Sequence, residues 1–162
     1  MSQDILFKTD DFVFSYRVGG ILVHENKLLL QRPFNDDYSI IGGHVSALET
    51  TEQTLVREFR EELHADVEVD RLLAVGEIFF PWGSRPCHQI CLYYTVQLTD
   101  PAQIPLTGTF RGYDDLDGRR IDLDFCWIPL DQLQRQVIYP QELIPIILDD
   151  PPAPAHFVSK QL

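Results

Sequence analysis

Three glutamates and an arginine stand within six consecutive residues of this chain, and together they could hold and orient a divalent metal ion. The residues are Arg57, Glu58, Glu61 and Glu62. An α-helix advances about 100° per residue, so the four side chains would share one stripe if this segment is helical. Hard cations such as Mg²⁺ prefer carboxylate oxygens as ligands. The spacing predicts a metal site on a helix, with a solvated acidic helix face as the alternative.

The same segment carries an apolar stripe that would hold the helix against a core. The apolar residues on the other side of the helical wheel are Leu55, Val56, Phe59 and Leu63. Like charges three or four residues apart destabilise a helix by about 0.2–0.5 kcal/mol per pair. Glu58 opposes both Glu61 and Glu62 in this way. A bound cation would relieve that repulsion.

The residues before this segment give the helix a defined start. Thr50 and Gln53 have the spacing of a capping box, which predicts that the helix begins at Thr51. A double glycine, Gly42-Gly43, separates that start from the apolar run at 38–41. Glycine lets backbone approach a ligand or metal closely. A strand, a double glycine and a capped acidic helix frame a site for phosphate and metal.

Residues 43–65 resemble the signature box of the Nudix hydrolases, G-x5-E-x7-R-E-U-x-E-E-x-G-U, where U is apolar. Six of its seven fixed letters match in register: Gly43, Glu49, Arg57, Glu58, Glu61 and Glu62. Phe59 and Ala65 take the apolar positions. His64 replaces the second glycine, at a helix exit where a left-handed conformation is common.

The resemblance implies a role for each matched residue. The backbone carbonyl of Gly43 and the carboxylates of Glu58, Glu61 and Glu62 would hold Mg²⁺ or Mn²⁺. Glu61 would also take part in catalysis, together with Arg57, which would orient the acids, and Glu49, which would support them. Acidic residues from a downstream loop serve as an extra ligand or general base in similar enzymes, and the candidates here are Asp114, Asp115 and Asp117.

Arg32 is the candidate for substrate binding. It ends a predicted strand shortly before the box, and a basic residue near this position touches substrate phosphate in similar enzymes. The alternative is a surface arginine that pairs with Asp36 or Asp37.

The function implied by the resemblance is metal-dependent hydrolysis of a pyrophosphate bond in a nucleoside diphosphate linked to a further group X. The implied fold is the Nudix fold, an α/β (α+β) arrangement with a mixed β-sheet between α-helices, over about residues 18–148. Two alternatives stay open: a catalytically inactive Nudix-fold domain that binds nucleotides or regulates, and an enzyme that removes damaged triphosphates. The sequence does not separate triphosphates from ADP-ribose, NADH, sugar nucleotides or capped RNA as substrates.

Composition limits the partners. The 162 residues carry a net charge of −12, which argues against general nucleic-acid binding and against an anionic membrane surface. We expect a single domain over 1–162, whose partner is a small nucleoside diphosphate derivative; a homodimer stays open. No signal peptide or membrane span is visible, so the cytoplasm is expected. The three cysteines have no metal-ligand spacing and are expected to be reduced.

The elements that must position the acidic helix can be predicted from apolar patterning. Strands are expected at 17–24, 28–32, 67–80, 88–98 and 121–128, and further helices at 130–136 and 140–148. Loops are expected at 33–37, 81–86 and 99–120, where turn residues concentrate, and a short strand around Phe110 stays open within the last of them. The Pro-rich C-terminal tail, 149–162, is expected to be mobile in part.

Overall fold

A computed structural model describes residues 3–32 and 37–162, and most of this part of the chain is β-structure. The strands are β1 Leu6–Lys8, β2 Val13–His24, β3 Lys27–Arg32, β4 Tyr38–Ser39, β5 Ile41–His44, β6 Val67–Trp82, β7 Arg85–Leu98, β8 Thr109–Leu116, β9 Arg119–Pro129, β10 Ile138–Tyr139 and β11 Ala155–Lys160. The α-helices are α1 Thr51–Leu63 and α2 Leu143–Asp149, with 3₁₀ turns at Pro101–Gln103 and Leu130–Arg135.

The strands form a mixed sheet in which β2 is the central connection. The main strand order is β10-β4-β3-β2-β7-β6-β11. β2 runs parallel to β7 and antiparallel to β5, while β6 pairs antiparallel with β7. β9 pairs with β3 and forms a hairpin with β8. β5 therefore lies beside the central strand β2, and in the chain it is the last strand before α1.

Each face of the sheet is covered by one α-helix. Alternation along the strands sends neighbouring residues to opposite faces: Leu22 and Leu29 pack in the core under α1, whereas Ile21 and Leu28 pack in the core under α2. The predicted mixed β-sheet between helices is confirmed. No helix in the described residues is both long and apolar enough to cross a membrane.

The boundaries of α1 follow from local sequence. Thr50 caps the helix, because its hydroxyl oxygen accepts a hydrogen bond from the backbone N–H of Gln53. In return, the side-chain oxygen of Gln53 accepts from the backbone N–H of Thr50. The helix thus begins at Thr51, as predicted. His64 follows its last residue with a left-handed backbone (φ 54°), which confirms the conformation expected where the signature box has glycine.

The prediction that the C-terminal tail is mobile is wrong for 155–160, which form β11. This strand pairs in parallel with β6. Phe157 is buried, and its ring occupies the space that a side chain at Gly76 would fill. Ser159 is also buried. Burial of these alternate side chains holds the strand in place.

Three other expectations also need correction. Instead of a loop at 81–86, β6 and β7 continue into a tight hairpin at Gly83-Ser84, where Gly83 supplies a positive φ. The strand left open around Phe110 is present as β8, and it is longer than expected. The helix predicted at 130–136 is a 3₁₀ helix, and the one predicted at 140–148 begins only at Leu143. Most of the loop predicted at 33–37 lies outside the described residues.

Candidate metal centre and adjoining cavity

Gly43 brings the backbone of a strand against the carboxylate of Glu58. In the β2–β5 pairing Gly43 lies opposite Val18, which packs in the core under α1. A Cβ atom at position 43 would overlap the Glu58 carboxyl group. Glycine is therefore needed for this approach, and the ligand role of Gly43 stays a prediction.

Glu58 and Glu62 lie one helical turn apart, and both are withdrawn from solvent. The Glu58 side chain is 14% exposed, and Glu62 is 8% exposed. Removal from water raises the pKa of Glu62 to about 9, with the charge of Glu58 as the next cause. Burial, followed by the charge of Glu61, raises the pKa of Glu58 to about 7. A solvated acidic face is therefore the wrong description of these two positions.

The buried carboxylates suit a divalent cation. Glu62 Oε2 has no hydrogen-bond partner among the described residues, although buried polar atoms normally have one. Carboxylates with one backbone carbonyl form the oxygen donor set that Mg²⁺ and Mn²⁺ prefer. Across 3–32 and 37–162, no three His, Cys, Asp or Glu side chains are already arranged around one point. Glu61 instead turns toward Arg57.

Arg57 joins the acidic helix to the loop that follows β5. Its Nη2 donates to Glu49 Oε1 at 2.9 Å and to Ser46 Oγ at 2.8 Å, and its Nη1 donates to Glu61 Oε1 at 3.0 Å. The hydrogen bond from Arg57 is the main cause that lowers the pKa of Glu49. Thr54 also donates to Glu49 at 2.9 Å. Arg57 is thus hydrogen-bonded to both Glu49 and Glu61, and their roles in catalysis stay predictions.

The β8–β9 hairpin adds a further carboxylate. A Cβ at Gly112 would lie 2.7 Å from the Glu62 carbonyl oxygen, so glycine lets β8 approach the end of α1. His64 then packs on Tyr113, with ring centroids 4.2 Å apart. The next residue, Asp114, has a raised pKa, first through burial and then through the charge of Glu61.

Of the three acidic candidates in this hairpin, the structure brings Asp114 to the carboxylate cluster. Its charge contributes to the raised pKa of both Glu58 and Glu62. Asp115 and Asp117 are exposed.

Arg17 is the charged residue that sequence reasoning missed. It lies on β2 opposite His44, next to the Val18–Gly43 pair. Within the described residues its guanidinium has no hydrogen-bond or ion-pair partner. Its charge nevertheless acts to lower the pKa of both Glu58 and Glu62. A lone arginine inside an otherwise apolar strand was the signal that could have identified it.

Arg32 ends β3 and is exposed. Its guanidinium carbon lies 6.0 Å from the ring centroid of Tyr38. Asp36, one of its two expected partners, lies outside the described residues. The substrate-binding role of Arg32 stays a prediction.

A cavity of about 320 Å³ adjoins Arg17 on the face of the sheet that α2 covers. Its walls are mainly apolar and aromatic, with Phe80, Trp82, Tyr93 and Tyr139 among them. Arg17, Ser39, Gln89 and Gln161 supply its polar groups. An apolar cavity with a few polar groups is the usual form of a small-molecule site. Arg17 thus lines the cavity, while its charge also acts on the carboxylates of Glu58 and Glu62.

In metal-free buffer, we expect the melting temperature to fall as pH rises from about 5 to about 9. Because the pKa values of Glu58 (about 7) and Glu62 (about 9) exceed the ordinary value of 4.5, the folded protein binds these protons more tightly than the unfolded chain. Their stabilisation is complete below pH 4.5 and is lost as pH rises through the folded pKa values. Calorimetry in EDTA measures the slope. Glu62→Gln should flatten it, and an equal slope in both proteins would contradict the assignment.

Comparison with known proteins agrees with this geometry. Three solved structures have a similar fold. A Nudix hydrolase from Nitrosomonas europaea has 20% identity and a TM-score of 0.60, and the match covers 91% of this chain and 79% of that chain. An ADP-ribose pyrophosphatase from Streptococcus suis has 17% identity and a TM-score of 0.59, with 88% of this chain and 98% of that chain covered, and a MutT Nudix hydrolase from Burkholderia pseudomallei has 20% identity and a TM-score of 0.54, with 81% of this chain and 95% of that chain covered. At these identities the likeness shows the shared fold. Residues 14–146, which include the whole acidic helix, match the family model of the NUDIX domain. The chain therefore belongs to the Nudix hydrolase family.

Proposed function

We propose that this protein is a metal-dependent hydrolase that cleaves a pyrophosphate bond in a nucleoside diphosphate linked to a further group. The observation that carries the proposal is the pair of carboxylates withdrawn from water, Glu58, which packs against the Gly43 backbone, and Glu62, whose Oε2 is unpartnered. Burial of two such groups is costly unless a counter-charge binds them. A cation shared with a substrate diphosphate would supply that charge.

Four residues would hold the cation: Gly43 through its carbonyl, and Glu58, Glu61 and Glu62 through their carboxylates. When bound, Mg²⁺ or Mn²⁺ supplies Lewis-acid polarisation of the phosphates and makes water more acidic. Arg57 holds Glu61 by a hydrogen bond, and Glu49 holds Arg57 in turn. These contacts fix the orientation of the acids before substrate arrives, which lowers the cost of reaching the reactive geometry.

Proton transfer falls to a carboxylate close to the cluster. Glu61 and Asp114 are the candidates, since Glu61 is the exposed member of the acidic stripe and Asp114 comes from β8. A carboxyl group whose pKa is raised toward the working pH is a better general base than an ordinary one. The pKa of Asp114 is raised by burial and by the charge of Glu61.

Arg17 would bind the phosphate that joins the metal centre to the cavity. Its guanidinium has no protein partner in the described residues and lines the cavity, and guanidinium groups bind phosphate with directed hydrogen bonds. The nucleoside would then occupy the aromatic cavity. Arg32, which lies at the end of β3, is a further candidate for phosphate contact.

The test is hydrolysis of a panel of nucleoside triphosphates, ADP-ribose, NADH and sugar nucleotides in the presence of Mg²⁺, in which added phosphatase converts the phosphomonoester products, and added pyrophosphatase the pyrophosphate, to inorganic phosphate for detection. We expect hydrolysis of at least one member in wild type and in Glu52→Gln, which changes an exposed acid on the same helix. Metal binding without hydrolysis of any panel member would favour the catalytically inactive nucleotide-binding domain.

Activity should require a divalent cation, with Mg²⁺ or Mn²⁺ more effective than Zn²⁺. The proposed ligands are all oxygens, whereas Zn²⁺ favours nitrogen and sulfur in tetrahedral geometry. Steady-state rates after EDTA treatment and re-addition of each metal measure the preference. Full activity in the chelated enzyme would refute the metal mechanism.

A further inference from the structure

Two amide side chains face an otherwise largely apolar cavity and come from different strands. Gln89 lies on β7 in register with Ser15 of β2 and is only 8% exposed. Its Oε1 accepts from Ser15 Oγ at 3.1 Å. In the described part of the chain no protein acceptor is recorded for its Nε2, and Gln89 lines the cavity. Its amide N–H groups are therefore available to a ligand in the cavity.

The second amide, Gln161, directly follows β11. Its backbone N–H donates to the Phe79 carbonyl at 2.7 Å, and its Nε2 donates to Ser159 Oγ at 3.1 Å. Ser159 Oγ donates in turn to Glu142 Oε1 at 2.8 Å. These bonds orient the amide so that Oε1, an acceptor, is left for another partner.

The hydrogen-bond chain also connects two walls of the cavity. Glu142 immediately precedes α2 and follows closely after Tyr139 and Pro140, which line the cavity. Gln161 therefore directly follows a strand, β11, that is paired with β6 and hydrogen-bonded through Ser159 to Glu142 at the start of α2. Its position is built by the fold and is not that of a free chain end.

The match to the Nudix family model ends at residue 146, before β11 begins. The wall that carries Gln161 is thus a feature of this chain outside the matched region. The metal ligands and Arg17 lie inside the matched region and do not account for the placement of this amide.

We propose that β11, through Gln161, is the specificity-determining wall for the base of the substrate. Gln161 Oε1 accepts from an amino or ring N–H group, and Gln89 Nε2 donates to a ring nitrogen or carbonyl oxygen of the same planar heterocycle. The aromatic walls at Trp82 and Tyr139 contact its faces. The inference deepens the proposed function and rests on it, because it assigns the base of the nucleoside diphosphate to this cavity.

A site that pairs a donor and an acceptor with a substrate edge discriminates strongly, since a wrong edge leaves its buried groups unpaired. The matched pair of variants is Gln161→Ala and Lys160→Ala. Lys160 is exposed on the same strand, and the Gln161→Ala variant keeps the backbone bond to Phe79. Circular dichroism and melting temperature confirm that both variants fold.

Two readouts are needed. The first is binding of adenosine, guanosine, cytidine and uridine 5′-diphosphates in EDTA, followed by tryptophan fluorescence. The second is kcat and KM with Mg²⁺ on substrates that differ only in the base. We expect Gln161→Ala to weaken binding of the preferred nucleotide by about tenfold, to reduce discrimination between bases, and to raise KM with little change in kcat. Lys160→Ala should behave like wild type.

The outcomes separate the two proposals. Unchanged affinity and unchanged base discrimination in Gln161→Ala, with active wild type, would overturn the role of β11. Nucleotide binding that depends on Gln161 without hydrolysis of any substrate would support the base site and refute the proposed hydrolysis. Absence of nucleotide binding by wild type would overturn the base site outright.

Discussion

Glu62→Gln should lower kcat by at least ~100-fold with Mg²⁺ while the protein folds normally, and Glu61→Gln should have an effect of the same order. Loss of one charged group that stabilises the transition state or moves a proton costs about this factor. Glu62 is the more diagnostic position because it is buried beside Glu58, with one oxygen unpartnered. Glu52→Gln is the matched control on the same helix.

Stability supplies a second measurement on the Glu62→Gln protein. The amide cannot ionise, so in EDTA at pH 9 its melting temperature should exceed that of wild type, whose carboxyl has a pKa of about 9. Mg²⁺ should raise the melting temperature of wild type more than that of the variant, because a ligand stabilises the state that binds it. Turnover near the wild-type rate in both Gln variants would remove the acids from the mechanism.

Phe157→Ala should lower the free energy of unfolding by about 3 kcal/mol, the low end of the range for truncating a buried phenylalanine. The Phe157 ring fills the space above Gly76 and lies 6.0 Å from the Tyr93 ring. Its removal leaves a void under β11 that the sheet cannot close. Urea denaturation measures the change.

Val158→Ala is the control for this strand, because Val158 is 44% exposed and its truncation should cost much less. Amide hydrogen exchange would show whether β11 detaches before the rest of the chain unfolds. Equal effects of the two variants would mean that β11 contributes little packing energy.

Local signals account for what could be predicted from the sequence. The capping box at Thr50 acts within one turn, so the start of α1 was accessible from sequence, as was the shared stripe of acids. The left-handed exit at His64 follows from the position of the missing glycine. Burial of Glu58 and Glu62 was not accessible, because it depends on β5 and on β8 reaching the helix from distant parts of the chain.

Long-range packing explains the errors. A Pro-rich tail has the composition of a mobile segment, yet Phe157 finds its place on Gly76, about eighty residues earlier in the chain. Pro81 and Pro86 resemble loop residues, but they pair across the end of the β6–β7 hairpin, where proline is tolerated. The Gly- and Asp-rich composition around 112 is typical of a loop with at most a short strand. Gly112 instead lets β8 approach the carbonyl of Glu62, and the strand extends over Thr109–Leu116.

Arg17 illustrates a different limit. A single charged residue in an apolar strand carries no spacing that indicates its chemistry. The register of β2 places Arg17 next to the Val18–Gly43 pair of the candidate metal centre and in the wall of the cavity.

The antiparallel alignment of β2 with β5 sets Gly43 toward the acidic helix and, one residue along on the paired strand, Arg17 toward the cavity. Successive residues of a strand face opposite sides of the sheet, so a slip of one residue would reverse both orientations together. We therefore expect a single-residue insertion or deletion in β2 to disturb the proposed cation site and the proposed phosphate contact of Arg17 together, even if every functional side chain were retained.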